Sequence, residues 1–189
     1  MIVVGEVRAK MVAGAAQLLA ERGLEGTSFA DVIERTGAPR GSLYHHFPQG
    51  KDQLVGAAID LAGARAIDFL DRKAGSSALE VTEYFLYLWH EVLSRSEFRA
   101  GCAVLAVTVA TGSPELMGRA SEIFRTWRRR LTELLRDGGL TEQDAARFAA
   151  TLVAATEGAV VLARAEQSWE PFDLVAEQLV AEVTRLAAT

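Results

Sequence analysis

Cysteine is nearly missing from this sequence: Cys102 is the only one in 189 residues. An internal disulfide is therefore impossible, a stapled secreted scaffold is excluded, and a reducing, cytoplasmic setting fits. Proline is scarce too. Its four copies, at 39, 48, 114 and 171, all fall between long periodic segments, where helices start or stop. Long apolar runs are also lacking. The longest stretch without a charged side chain is 100–114, and those 15 residues include Gly, Thr, Ser and Pro. That is too short and too polar to span a bilayer, so no membrane partner is expected. Arg8 and Lys10 ahead of residues 11–20 have a superficial likeness to a signal peptide. Glu6, Gln17 and the Glu21-Arg22 pair argue for an amphipathic first helix instead. Histidine is limited to His45, His46 and His90. None has the spacing of a zinc or di-iron site, and nucleophile-elbow and phosphate-loop motifs are absent. Cys102 has no identifiable base. The expectation is a protein that is not an enzyme and holds no metal or cofactor.

What is present is an ordinary globular balance, 50% hydrophobic and 24% charged, in a chain long enough to bury a core without staples. The net charge of −5 argues against a generic nucleic-acid binder, but its distribution is uneven. Residues 1–55 hold six Lys+Arg and six Asp+Glu; residues 56–189 hold the remaining 14 and 19. The acidity thus belongs to the C-terminal part. That permits a DNA-binding head without demanding one.

Alanine and leucine abound, and no segment keeps an alternating period of two, so the fold class expected is all-α. Nine helices are placed, at about 3–22, 28–35, 39–46, 50–73, 77–95, 99–111, 114–137, 142–167 and 171–187. The first carries Val4, Val7, Met11, Ala15, Leu18 and Leu19 on one face. Ser28 with Asp31 reads as a capping box for the second, Pro39 opens the third, and Thr141 with Asp144 caps the eighth.

Residues 28–47 carry the strongest functional signal. Two short helices joined by Thr36-Gly37-Ala38 form a helix-turn-helix candidate. Val32, Ile33, Leu43 and Phe47 are spaced to face inward, toward Leu18, Leu19 and Leu54. Arg40, Gly41, Ser42, Tyr44, His45 and His46 then face outward. Arginine forks onto guanine or phosphate, hydroxyls reach phosphates, and a glycine without bulk allows close backbone approach.

The runs Gly23-Leu-Glu-Gly-Thr-Ser-Phe-Ala-Asp-Val-Ile33, Thr36-Gly-Ala-Pro-Arg-Gly-Ser-Leu-Tyr-His-His-Phe47 and Lys51-Asp-Gln-Leu54 resemble the DNA-binding domain of the TetR family of bacterial repressors. Gly50-Lys51 and Gly101-Cys102-Ala103-Val104 look like the branch that includes drug-resistance and flavonoid-response regulators. The resemblance implies a nine-helix, two-part repressor fold: residues 1–49 as the helix-turn-helix domain and 50–189 as the ligand-binding and dimerisation domain. It implies that Thr27 and Ser28 meet a phosphate at the second helix's N-terminus. Arg40, Gly41, Ser42, Tyr44 and His45 would enter the major groove, and Lys51 would grip the flanking backbone. Many members open the reading helix with Val-Ser-Lys. Here Ala38-Pro39-Arg40 stands instead, which shifts weight onto Arg40.

The same resemblance implies a homodimer and a small-molecule effector. Helix eight has an apolar row at Phe148, Leu152, Ala155, Ala159 and Leu162; helix nine adds Phe172, Val175, Leu179 and Val183. Apolar residues on more than one side of helix eight suggest burial by a partner as well as by its own core. Phe69, Tyr84, Leu88, Cys102, Phe124 and Trp127 are the candidate effector contacts, and plain core is the competing reading for each. Few acidic residues share those faces, which favours a neutral or weakly acidic, mostly apolar ligand. Arg128-Arg129-Arg130 reads as a solvated helix face. The expected function is a homodimeric, cytoplasmic transcriptional regulator, a repressor released from a palindromic double-stranded operator by such a ligand. The rival is a helical small-molecule-binding or interaction protein that no longer binds DNA.

Overall fold

The computed structural model describes residues 4–188, without the Val4 side chain. Among the described residues all regular structure is helical, in nine elements: α1 (Val4–Arg22), α2 (Phe29–Thr36), α3 (Arg40–His46), α4 (Lys51–Asp71), α5 (Ala78–Ser96), α6 (Ala103–Ala110), α7 (Pro114–Asp137), α8 (Glu142–Glu166) and α9 (Glu170–Ala187). Residue 3, where the sequence places the start of the first helix, lies outside this range, as does the expected inward face of Val4.

One boundary differs from expectation by more than two residues. The sequence suggests a helix from 99, but α6 begins at Ala103. Glu97 and Phe98 both adopt left-handed backbone conformations, φ 50° and 60°, which end α5 and redirect the chain. Arg164 then donates to the Arg99 carbonyl at 2.9 Å, and Gly101 is packed so tightly that a Cβ there would lie 2.8 Å from an Arg164 Nη1. Cys102 finally caps α6, its Sγ accepting from the Leu105 amide at 3.3 Å.

The chain divides into two compact units. The first comprises the residues through Arg65 with Cys102–Ile123; the second comprises Ala66–Gly101 with the residues from Phe124 on. In the first, α1 packs on α2, α3 and α6. Met11, Ala15, Leu18 and Leu19 are buried, as are Val32, Leu43, Phe47 and Leu54. Each large side chain so buried contributes about 1.5–3 kcal/mol. Gly14 lets α1 and α2 close together, since a Cβ there would meet Thr36 Cγ2 at 2.5 Å.

In the second unit α5, α8 and α9 pack on one another around Leu70, Val81, Phe85, Leu131, Leu135 and Leu152. The α7–α8 turn is tied back by the Ala78 amide, which donates to the Gly138 carbonyl at 3.0 Å. No side chain fits there: a Cβ on Gly138 would lie 2.5 Å from the Ala78 nitrogen. By length and composition α8 is apolar enough to cross a membrane, yet half of its apolar window is buried inside this unit. It is a core helix here.

Candidate DNA-binding surface

The α2–α3 pair is built from local signals. Ser28 caps α2: the Asp31 amide donates to its Oγ at 3.2 Å, and its own amide donates to Asp31 Oδ2 at 2.9 Å. The Ser28 hydroxyl also donates to Asp31 and, as the largest influence, holds that carboxyl below the usual carboxylate range. Gly37, at φ 65°, ends the helix in the left-handed conformation that glycine adopts without strain. Pro39 then stands just before α3 as its N-cap.

Val32, Leu43 and Phe47 are buried, as their spacing predicts, and Ile33 is half-buried. On the outer side of α3, Arg40, Gly41, Tyr44 and His45 are exposed, with Ser42 and His46 half-buried. Tyr44 is 68% exposed, its ring set edge-on against Phe29 at 5.6 Å. Ser42 Oγ donates to the Pro39 carbonyl at 2.6 Å. No acidic side chain lies on α3, so its outward face is cationic and polar.

The other expected DNA contacts sit differently. Thr27 is 1% exposed, and its hydroxyl donates to the Gly23 carbonyl at 2.8 Å. Ser28's hydroxyl is used in its cap, and the Asp31 carboxylate already occupies the positive end of α2. Both hydroxyls therefore serve the fold first. Lys51 Nζ donates to the Leu24 carbonyl at 2.7 Å, clasping the start of α4 to the α1–α2 loop. An ammonium has three donors, so two remain for a phosphate.

Gly41 is informative because nothing inside the protein requires it. A Cβ there meets no atom within 4 Å. A helical glycine costs about 0.5–1 kcal/mol relative to alanine, and a close DNA backbone is the reason the expected contact would supply. Gly41→Ala is expected to raise thermal stability by about that amount while weakening DNA binding. Paired melting curves and DNA titrations check this; unchanged DNA affinity would show that no backbone approach occurs there.

The expected effector residues do not all share one environment. Phe124 and Trp127 meet edge to face at 5.4 Å within the second unit, Trp127 buried and Phe124 packed against the core. Leu88 is half-buried. Tyr84 stacks on the exposed Tyr87, with Lys73 Nζ over its ring. Phe69 is exposed beneath the Arg72 guanidinium. Cys102 belongs to the first unit, where it caps α6. Sequence reading missed Glu157, a carboxyl only 8% exposed on α8, and the neighbouring Thr156, whose buried hydroxyl has no hydrogen-bond partner among the described residues. An apolar row with two polar interruptions was the available signal. The expectation is that acidic residues are few on the faces of the aromatic set; Glu157 is one acidic side chain buried on α8.

Most of the residues expected at a dimer interface are covered within the second unit. Phe148, Leu152, Ala159, Phe172, Leu179 and Val183 are buried in the chain's own core, with Ala155 and Val175 packed against it. Only Leu162 stands out, 49% exposed. The face of α8 left open is a different one: Ala154, Gly158, Val161, Leu162 and Ala165, recurring every three or four residues, all exposed. On α9, Leu174 at 60% exposure and Ala181 are open as well.

A helix-turn-helix in the first unit and a second unit that is also all-helical are the make-up of a DNA-binding transcriptional regulator. Residues 11–58 match the family model of the bacterial regulatory proteins, tetR family, and residues 78–178 match that of the LmrA/YxaF-like transcriptional regulator C-terminal domain. The chain belongs to the TetR family. It is 34% identical to the HTH-type transcriptional regulator Rv0196 of Mycobacterium tuberculosis over 179 residues, 91% of each chain. It is 29% identical to the HTH-type transcriptional regulator LmrA of Bacillus subtilis, over 88% of this chain and 91% of that one. A TetR transcriptional regulator from Chloroflexus aurantiacus superposes with a TM-score of 0.81 at 28% identity, covering 97% of both chains.

Proposed function

We propose that this TetR-family regulator works as a homodimeric repressor, with residues 1–49 reading the operator and residues 50–189 binding an effector and joining two copies. The observation that carries the DNA-reading assignment is the outward face of α3, where Arg40, Gly41, Tyr44 and His45 stand exposed on a helix without a carboxylate. Two such heads related by a two-fold axis read a near-palindrome with half-sites about one helical turn apart, or a multiple of it. The exposed small-residue face of α8 supports the dimer.

The effector reading rests on the second unit. Phe124 and Trp127 offer aromatic surface, and the Thr156 hydroxyl and Glu157 carboxyl add polar points inside a mostly apolar core. Those features suit a small, mostly apolar molecule. Release follows from linkage: an effector that prefers a conformer with wrongly spaced heads shifts the population off DNA, by no more than its differential affinity. A coupling of about 1–3 kcal/mol corresponds to roughly 5- to 150-fold weaker DNA binding.

The test is a gel shift with the DNA immediately upstream of the protein's own gene, followed by titration of neutral aromatics, fatty acyl compounds and organic cations. Trp89, Trp127 and Trp169 all lie in the second unit, so tryptophan fluorescence reports on it directly. A complex that some compound dissolves while changing that fluorescence supports the whole reading. A complex that no compound binds or weakens leaves a DNA binder without a sensor.

A further inference from the structure

Pairing sorts the evenly matched charges of residues 1–55. Arg35 forks onto Glu21, and Arg22 reaches Asp31 at 3.5 Å. Arg8, Lys10, Arg40 and Lys51 have no carboxylate within ion-pair distance among the described residues. Arg40 and Lys51 already belong to the DNA-facing set. Arg8 does not, and no motif points to it.

Its position is nonetheless defined. The inner stripe of α1 runs through Ala15 and Met11, and Arg8 continues it one turn further, where the side chain becomes exposed. Its guanidinium lies over the Phe47 ring, 5.3 Å from the centroid. Phe47 is the C-cap of α3, its amide donating to the Leu43 carbonyl at 2.9 Å and its ring fully buried. The His46 ring meets the Phe47 ring at 6.5 Å, and the His45 ring meets that of His46 at 5.3 Å. An arginine is thus held beside the last turn of the reading helix. A guanidinium held over a ring keeps N–H donors for a further acceptor. At 1.5 Å per residue, seven-residue α3 is about 10 Å long, against a major groove about 12 Å wide. A cation beside its end therefore comes to the groove wall, where the phosphates are.

We propose that Arg8, positioned by Phe47, contacts a backbone phosphate in the DNA-bound protein, extending the DNA surface from α3 to the start of α1. The inference rests on the helix-turn-helix head engaging duplex DNA. The test compares wild type, Arg8→Gln, Arg8→Lys and Lys10→Gln by fluorescence anisotropy at a series of salt concentrations. Two duplexes serve as probes: the region upstream of the gene, and a mixed sequence of the same length. Lys10 is the control, because two residues along it points about 200° round the helix from Arg8. For each head engaged, Arg8→Gln is expected to flatten the slope of log affinity against log salt by about 0.9, an eight-fold loss at about 0.1 M salt, on both duplexes. Arg8→Lys restores the slope and Lys10→Gln leaves it unchanged. A purely structural arginine would lower the melting temperature of Arg8→Gln without altering the slope, and that result overturns the proposal. An equal loss in Lys10→Gln overturns it too. If wild type binds neither duplex at low salt, the DNA-reading assignment itself falls, which is a separate outcome.

Discussion

Replacing Arg40 by alanine is expected to abolish sequence-selective DNA binding while the protein stays folded. The side chain is exposed on the first turn of α3 and has no carboxylate partner among the described residues. It therefore gives nothing measurable to the fold, and alanine favours helix at least as well. On DNA the same guanidinium supplies a forked donor pair. Loss of one such pair to a base costs about 1–3 kcal/mol, or roughly 5- to 160-fold in affinity per head. A base contact and a phosphate contact separate cleanly. If Arg40 reads a base, the variant loses preference for the upstream DNA over a mixed sequence. If it grips only phosphate, both duplexes weaken alike and the salt slope flattens. Binding isotherms on the two duplexes, with circular dichroism to verify folding, decide this. Unchanged affinity in a folded variant would remove α3 from the role of reading helix.

The second large effect is expected at Gly158. This residue sits in the middle of α8, is exposed, and has open space where a Cβ would stand. A helical glycine with no internal reason costs about 1 kcal/mol, so arginine there should suit the isolated protomer. Across a two-fold interface the consequence reverses. In the proposed dimer the exposed Ala154, Gly158 and Ala165 would let two α8 helices approach closely, and a long charged side chain at the crossing would prevent it. Gly158→Arg is expected to be monomeric in sedimentation at micromolar concentration. Each head then binds its half-site alone and loses the effective concentration that linkage provides, about 10²- to 10⁴-fold in operator affinity. The monomer keeps its helical spectrum. A Gly158→Arg protein that remains dimeric would place the interface elsewhere.

The helix-turn-helix was legible because its determinants are local. Ser28 and Asp31 start α2, Gly37 ends it, and Pro39 precedes α3. These are rules of backbone conformation and capping that act within four residues. The inward set Val32, Leu43 and Phe47 followed from helical periodicity, which also makes Arg40, Tyr44 and His45 the outward set.

The contacts made across long chain separations were not legible. Lys51 reads as a phosphate clamp from its motif, yet only the folded chain shows its ammonium tied to Leu24, 27 residues earlier. Ahead of α6, Arg164 reaches the Arg99 carbonyl, 65 residues away, in a stretch whose composition reads as helix throughout. On α8 the sequence shows apolar residues on more than one side, but side-chain size does not reveal which side the protomer covers for itself. Packing assigns the bulky row, Phe148 and Leu152, to the core and leaves Gly158 and Leu162 outside. From sequence alone came the all-α class, the positions of eight of the nine helices among the described residues to within two residues, and the outward face of α3, because propensity, caps and periodicity are local. Tertiary structure decided which polar groups are already engaged and which apolar face stays open, because burial depends on neighbours that chain order does not specify.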